Sequence, residues 1–125
     1  MASSRTRLAG LEPSVRAVAE WCLDVAEYYG IPVTVTSGYR SIQEQARLRT
    51  NYERCVASGR FGQGPDCKYP ANRPGESAHN YGLAFDSSVP DPYWPAWDYI
   101  RQYAGLHVLP NDRPHAEYPN WRHFV

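Results

Sequence analysis

The stretch Glu76-Ser77-Ala78-His79-Asn80-Tyr81-Gly82-Leu83-Ala84-Phe85-Asp86 holds an imidazole and a carboxylate seven positions apart. Gly82 between them lets the chain turn tightly, so that His79, read as a loop residue, and Asp86, on the strand that follows, converge. Downstream, Asp112-Arg113-Pro114-His115 offers a second imidazole. His79, Asp86 and His115 together supply two imidazoles and one carboxylate from two segments. Zn²⁺ accepts that set in catalytic sites, where the fourth position is left to water. A zinc ion lowers the pKa of bound water from about 16 to about 7, which provides a nucleophile at neutral pH. Taken singly, each residue has a plainer reading: a loop histidine bonded to backbone, a carboxylate at a strand end, a surface histidine in a Pro-rich loop. His107 and His123 are spare imidazoles.

The elements that must position these groups follow from periodicity. Leu11, Val15, Val18, Cys22, Val25, Ala26 and Tyr29 recur at helical spacing, which predicts one amphipathic helix over Leu11 to Tyr29, with Pro13 in its first turn and Gly30 at its end. Ile31 to Thr36 is β-branched and short, and reads as a strand. Ser41 with Glu44 is a capping box for a second helix from Ile42 to about Glu53. Cys55 to Ser77 is rich in Gly and Pro and reads as a long loop insertion, the kind of segment that is usually functional when it occurs in a compact domain. Leu83 to Val89 is a further strand, Pro95 to Ala104 a short helix, and Leu106 to Leu109 and Ala116 to Tyr118 are candidate short strands around a Pro-Asn-Asp turn. No βαβ rhythm is sustained, so the expected class is α+β, a single domain over residues 1–125.

Composition narrows the class of function. Thirteen basic side chains balance thirteen acidic ones for a formal net charge of +0, without the basic excess of a nucleic-acid-binding surface. No apolar run approaches the roughly 20 residues of a membrane span, and the start MASSRTRLAG has no apolar segment of a secretory signal. Eleven prolines in a small chain imply shaped loops that need a staple, a disulfide or a metal. Cys22 falls on the apolar face of the first helix, as a small buried hydrophobe does. Cys55 and Cys67 bracket the Gly-rich loop, and two readings stay open: a disulfide, worth about 3 kcal/mol by chain entropy, or two free thiols.

Ser37-Gly38-Tyr39-Arg40-Ser41, then Ser77-x-His79-x-x-Gly82-x-Ala84-x-Asp86, then Asp112-x-Pro114-His115, resembles the zinc peptidases of the D-Ala-D-Ala carboxypeptidase and L-alanyl-D-glutamate endopeptidase family, a group that includes VanY-like enzymes and phage endolysins. The resemblance runs from Ser37 to Glu117 in the family's order. It implies a small antiparallel sheet with flanking helices, of the hedgehog and D-Ala-D-Ala-peptidase type. It implies Zn²⁺ held by His79, Asp86 and His115, with Asp112 as general base and acid. Arg40 would bind a substrate carboxylate or polarise the scissile carbonyl, and Ser77 would make a secondary polar contact near the metal. Tyr69, Tyr81, Trp94, Trp97 and Trp121 are candidates for lining a cleft or for packing, with Tyr81 placed among the substrate contacts.

The implied substrate is the peptidoglycan stem peptide. Asp rather than Glu at position 112 points to the endolysin branch and so to the L-Ala–D-Glu bond, with D-Ala-D-Ala carboxypeptidase activity as the alternative. A non-catalytic, metal-containing wall-binding module has no need of Asp112. The chain departs from the family pattern in the short segment between Leu106 and Asp112, in Ala116 after the last ligand, and in the Cys55–Cys67 loop. A monomeric phage, prophage or virion-borne lysin acting on the wall is the expectation that fits a chain start without a signal.

Overall fold

The computed structural model describes residues 5–125. The first long helix, α1, spans Pro13–Tyr28. The Glu12 carboxylate accepts the N–H groups of Ser14 and Val15 at 3.1 and 3.3 Å, and Pro13 needs no partner there. Val15, Ala19, Cys22, Leu23 and Ala26 form its buried face. Burial pushes the Cys22 thiol up to about 12, which makes it an inert core residue.

The next strand, β1, covers Thr34–Ser37 rather than Ile31–Thr36. The reason is local: the Ile31 N–H donates to the Ala26 carbonyl at 2.8 Å and closes the end of α1, and Pro32 has no N–H to offer a ladder. Helix α2 spans Ile42–Ala57, and the Ser41 hydroxyl accepts the Glu44 N–H at 3.0 Å as the capping box predicts. It runs a turn beyond Glu53, so Cys55 lies on the helix and not in the loop. Cys55 and Cys67 form a disulfide, which resolves the open pairing.

The remaining strands are β2 (Ala84–Ser88), β3 (His107–Leu109) and β4 (Asp112–Glu117), with helix α3 (Trp94–Tyr103) between β2 and β3. They form one four-stranded sheet in the order β1-β2-β4-β3, and every pair is antiparallel. On β2 the side chains alternate: Phe85 and Ser87 enter the core, and Asp86 between them faces the other way. Ser87 is fully buried because its hydroxyl accepts the Trp97 indole N–H at 2.8 Å. Phe85, Trp97, Val15, Ala19 and Val35 are core residues shared by the sheet, α1 and α3. Burying a side chain of the size of Phe85 stabilises by roughly 2–3 kcal/mol. No helix among the described residues is long and apolar enough to cross a membrane.

Candidate active site

His79 lies on a 3₁₀ turn, Ala78–Tyr81, and not in an irregular loop. The Ser77 hydroxyl caps that turn by accepting the His79 N–H at 3.2 Å. Gly82 ends it with φ +71, and a Cβ there would stand 2.8 Å from the Glu12 nitrogen, so no larger residue fits. The turn is tied to the β1–α2 connection twice: the Arg40 N–H donates to the His79 carbonyl at 2.9 Å, and the Asn80 amide donates to the Arg40 carbonyl at 2.9 Å. The chain passes so closely at Gly38 that a Cβ would collide with the Arg7 carbonyl at 2.0 Å. That approach brings the Gly38 carbonyl to the His79 Nδ1, 2.8 Å away.

Asp86 and His115 are direct cross-strand partners between β2 and β4. Their neighbour Asp112 reaches the same cavity through an irregularity. Leu109 pairs with Asp112, yet Val108 pairs with Ala116, so β4 carries Arg113, Pro114 and His115 as surplus between two successive pairs. In a regular strand, residues three apart face opposite sides; this bulge turns both Asp112 and His115 to the cavity. Arg101, fully buried, holds the bulge: its Nη1 donates to the carbonyls of Arg113 and Pro114 at 3.1 and 3.3 Å, and its Nη2 pairs with Asp98 at 2.6 Å.

His79 Nε2 and His115 Nδ1 stand 3.2 and 3.3 Å from the same oxygen of Asp86, Oδ1. One donor atom from each of His79, Asp86 and His115 lies within 4.8 Å of the others, which suits a small cation between them. The outward nitrogens are both engaged. Gly38 takes the Nδ1 of His79, and the Glu117 carboxylate accepts from His115 Nε2 at 2.7 Å. These outward partners can hold an N–H on each ring, which would leave His79 Nε2 and His115 Nδ1 to an ion once it replaces the hydrogens now shared with Asp86, as in metal-ligating histidines. Burial opposes a charge on His115, but its hydrogen bonds to Asp86 and Glu117 carry its pKa up to about 9. Burial alone would raise Asp86; the hydrogen bonds from His115 and His79 outweigh it and hold the carboxyl far below the usual range. A carboxylate and two imidazoles arranged around one point, one of them protonated without a cation, fit a divalent metal that takes the place of that proton.

Arg40 is half-buried at the edge of this centre. Its Nη2 pairs with Asp86 Oδ2 at 3.4 Å and donates to the Ser37 hydroxyl at 3.0 Å, and its Nη1 donates to Gln45 at 3.0 Å. Asp112 is raised by burial and by the nearby Asp86 charge, and among the described residues no ion pair engages its carboxylate. Arg40, Ser77, His79, Asp86, Asp112 and His115 all line one cavity of about 530 Å³.

Tyr81 does not join them. Its hydroxyl donates to the Gly75 carbonyl at 2.8 Å and its ring packs on Trp121, and it lines a different groove from the other expected site residues. Trp97 and Trp121 are core residues, whereas Tyr69 does line the cavity. His107 is no ligand but stands 3.7 Å from Glu117, and His123 lies on the last 3₁₀ turn. Glu117, Gln45 and Arg101 were not marked by motif. Glu117, two positions after His115 on the same strand face, was the one that alternation could have found.

Comparison with known proteins agrees with this geometry. The family model described as VanY, D-alanyl-D-alanine carboxypeptidase, matches residues 9–96, which include Arg40, His79 and Asp86. The peptidoglycan L-alanyl-D-glutamate endopeptidase CwlK of Bacillus subtilis (strain 168) is 41% identical over 79 residues, 63% of this chain and 42% of that protein. The chain therefore spans less than half the length of this relative. Among solved structures, VanYB in complex with D-alanine-D-alanine superposes with a TM-score of 0.69 at 19% identity, covering 90% of this chain and 74% of the other. The D,D-pentapeptidase VanY of a VanB-type resistance cassette, in complex with Zn(II), gives 0.66 at 20% identity, covering 86% and 72%. These structures share the fold. With its match over residues 9–96 of 125, the chain belongs to the VanY family of D-alanyl-D-alanine carboxypeptidases.

Proposed function

We propose that this protein is a zinc-dependent peptidoglycan peptidase that hydrolyses the stem peptide, with the L-Ala–D-Glu bond as its target. One observation carries the reading: three convergent metal donors share a cavity with a carboxylate, Asp112, that has no ionic partner among the described residues. A binding module gains nothing from an unengaged, half-buried carboxylate in that position.

His79, Asp86 and His115 would hold the ion, with Gly38 and Glu117 fixing the two rings. A bound zinc ion supplies Lewis acidity and brings the pKa of water down to about 7. Asp112 takes the proton of the attacking water and returns it to the leaving amine. Arg40, anchored by Ser37, Gln45 and Asp86, presents its guanidinium to the charge that grows on the scissile carbonyl oxygen. Asp112 and Arg40 line the same cavity, so a peptide bound there would have its reacting bond within reach of both.

The L-Ala–D-Glu assignment is supported by CwlK, the relative at 41% identity, whose name states that activity. D-Ala-D-Ala carboxypeptidase activity is the second reading, supported by the family match and by the VanYB complex with that dipeptide. Digestion of purified wall separates them: new N-terminal D-Glu means the endopeptidase, and free D-Ala means the carboxypeptidase. Zinc analysis before and after chelation tests the metal; less than about half an equivalent, with His79→Ala unchanged in activity, overturns the centre. A place of action outside the reducing cytosol, as for a phage, prophage or virion-borne lysin, is supported by the Cys55–Cys67 disulfide. Lysis assays on intact cells with protein added from outside test that place.

A further inference from the structure

The cavity is lined by eight ionisable side chains of Arg, Lys, His, Asp and Glu: Arg40, Asp66, Lys68, His79, Asp86, Asp112, His115 and Glu117. Six of them have ionic partners. Arg40 and both histidines meet Asp86, His115 also meets Glu117, and Asp66 meets Arg60. Asp112 and Lys68 are the two left over. The proposed chemistry uses Asp112. Lys68, the single lysine of the chain, forms no ion pair among the described residues, and its Nζ stands over the Tyr69 ring, 5.3 Å from the centroid.

The backbone that presents Lys68 is held in place, although the side chain is exposed. Cys67, its neighbour, is buried and bonded to Cys55 on α2. The Asn51 amide donates to the Asp66 carbonyl at 2.7 Å, Arg49 to the Ala71 carbonyl at 3.0 Å, and the buried Gln45 to the Asn72 carbonyl at 2.8 Å. Residues on both sides of Lys68 are thus tied to one rigid helix. A cation on a fixed wall, facing the cavity and unpaired, is a site for an anion. Arg40 is less free for that duty, because three of its N–H contacts are spent on Ser37, Gln45 and Asp86.

We infer that Lys68 is a specificity-determining residue that binds a free carboxylate of the peptide lying in the cleft, on the wall opposite the sheet. The inference rests on the peptidase reading and names what its substrate must carry. Stem peptides meet that need, since a D-Glu joined through its side chain leaves its α-carboxylate free. Lys68 recognises charge, so a carboxamide in that place is discriminated against.

The test uses the zinc-loaded protein and two synthetic peptides, L-Ala-γ-D-Glu-L-Lys with the D-Glu α-group as carboxylate or as carboxamide. Dissociation constants are measured by calorimetry, and turnover is followed separately. The unmodified protein is expected to bind the carboxylate about fivefold more tightly, the upper range of an exposed charge pair. Lys68→Met should erase that preference by weakening the carboxylate peptide alone, Lys68→Arg should keep it, and raised salt should shrink it. Equal binding of the two peptides by the unmodified protein, or an equal loss on both in Lys68→Met, overturns the inference. Absence of cleavage with the preference intact overturns the peptidase reading and leaves the carboxylate site standing.

Discussion

The two walls of the cleft are built by opposite means. One wall is the sheet: Asp86 and His115 face each other across β2 and β4, and buried His79 is held against them from its capped turn. The side chains of these three residues are hydrogen-bonded, and their geometry follows from strand register, which a single-residue slip would destroy. The other wall, residues 65–72, has no regular structure and is largely exposed. It is fastened to α2 by a disulfide and a few side-chain bonds to its carbonyls. Metal chemistry needs donors fixed to tenths of an ångström, and register provides that. Recognition of a substrate tolerates a looser frame and changes more readily, and a stapled loop provides that. The sheet wall is therefore where substitution should stop the reaction, and the loop wall where it should change which peptide is accepted.

The largest effects belong to the sheet wall. His79→Ala is expected to lose the zinc equivalent and to bring wall hydrolysis to background, read by metal analysis beside an activity assay. Full activity in that variant would break the division at its root. Asp112→Asn comes next and separates two functions of the same wall. Zinc content should stay at the unmodified level while kcat falls roughly a hundred- to ten-thousand-fold, the range for loss of a positioned acid–base group. If zinc is lost together with activity, Asp112 is part of the metal shell and not the base.

How much of this was legible beforehand differs between the walls for physical reasons. His79, Asp86 and His115 stand in local patterns, a turn glycine and a strand; residue type and spacing made them candidates, and the resemblance to the zinc peptidase family singled them out. Period-two and period-3.6 patterning gave the α+β class, and the antiparallel, helix-flanked sheet came from the family resemblance. The β4 bulge was not legible. It depends on Arg101, which is distant in sequence and reads as an ordinary helix arginine, yet is buried against the carbonyls of Arg113 and Pro114. The place of Tyr81 was not legible either, because an aromatic residue next to a ligand serves packing and cleft alike; its hydroxyl donates to Gly75, outside the donor cavity. The loop between Cys55 and Ser77 could be recognised as an insertion, but nothing in its composition told a disulfide from two thiols, since pairing depends on the 5.7 Å approach of the two Cα atoms.

A finer test within the sheet wall uses Glu117. Its carboxylate accepts from His115 and does not reach into the donor set itself. Glu117→Gln keeps the size and removes the charge, so the ring of His115 should be held less firmly. Zinc affinity, measured against a competing chelator, is expected to fall roughly ten- to a hundredfold, the usual cost of losing such a partner. At saturating zinc most of the activity should return. An unchanged affinity would mean that strand register alone orients His115.

The smallest effect on the chemistry is expected from the loop's staple. Replacing Cys55 and Cys67 together with alanine avoids thiol reductants, which bind zinc themselves. By chain entropy the lost cross-link removes about 3 kcal/mol of stability, which lowers Tm by about 10 °C in a chain of this size. Zinc affinity and kcat should hardly move, because no donor of the metal lies on the loop. What should move is the preference for a carboxylate over a carboxamide, since Lys68 loses the anchor at its neighbour Cys67. Thermal unfolding, zinc titration and the peptide pair together separate these outcomes. A fall in zinc affinity matching the loss of preference would show that the two walls are coupled, and that the loop supports the metal centre as well as the substrate.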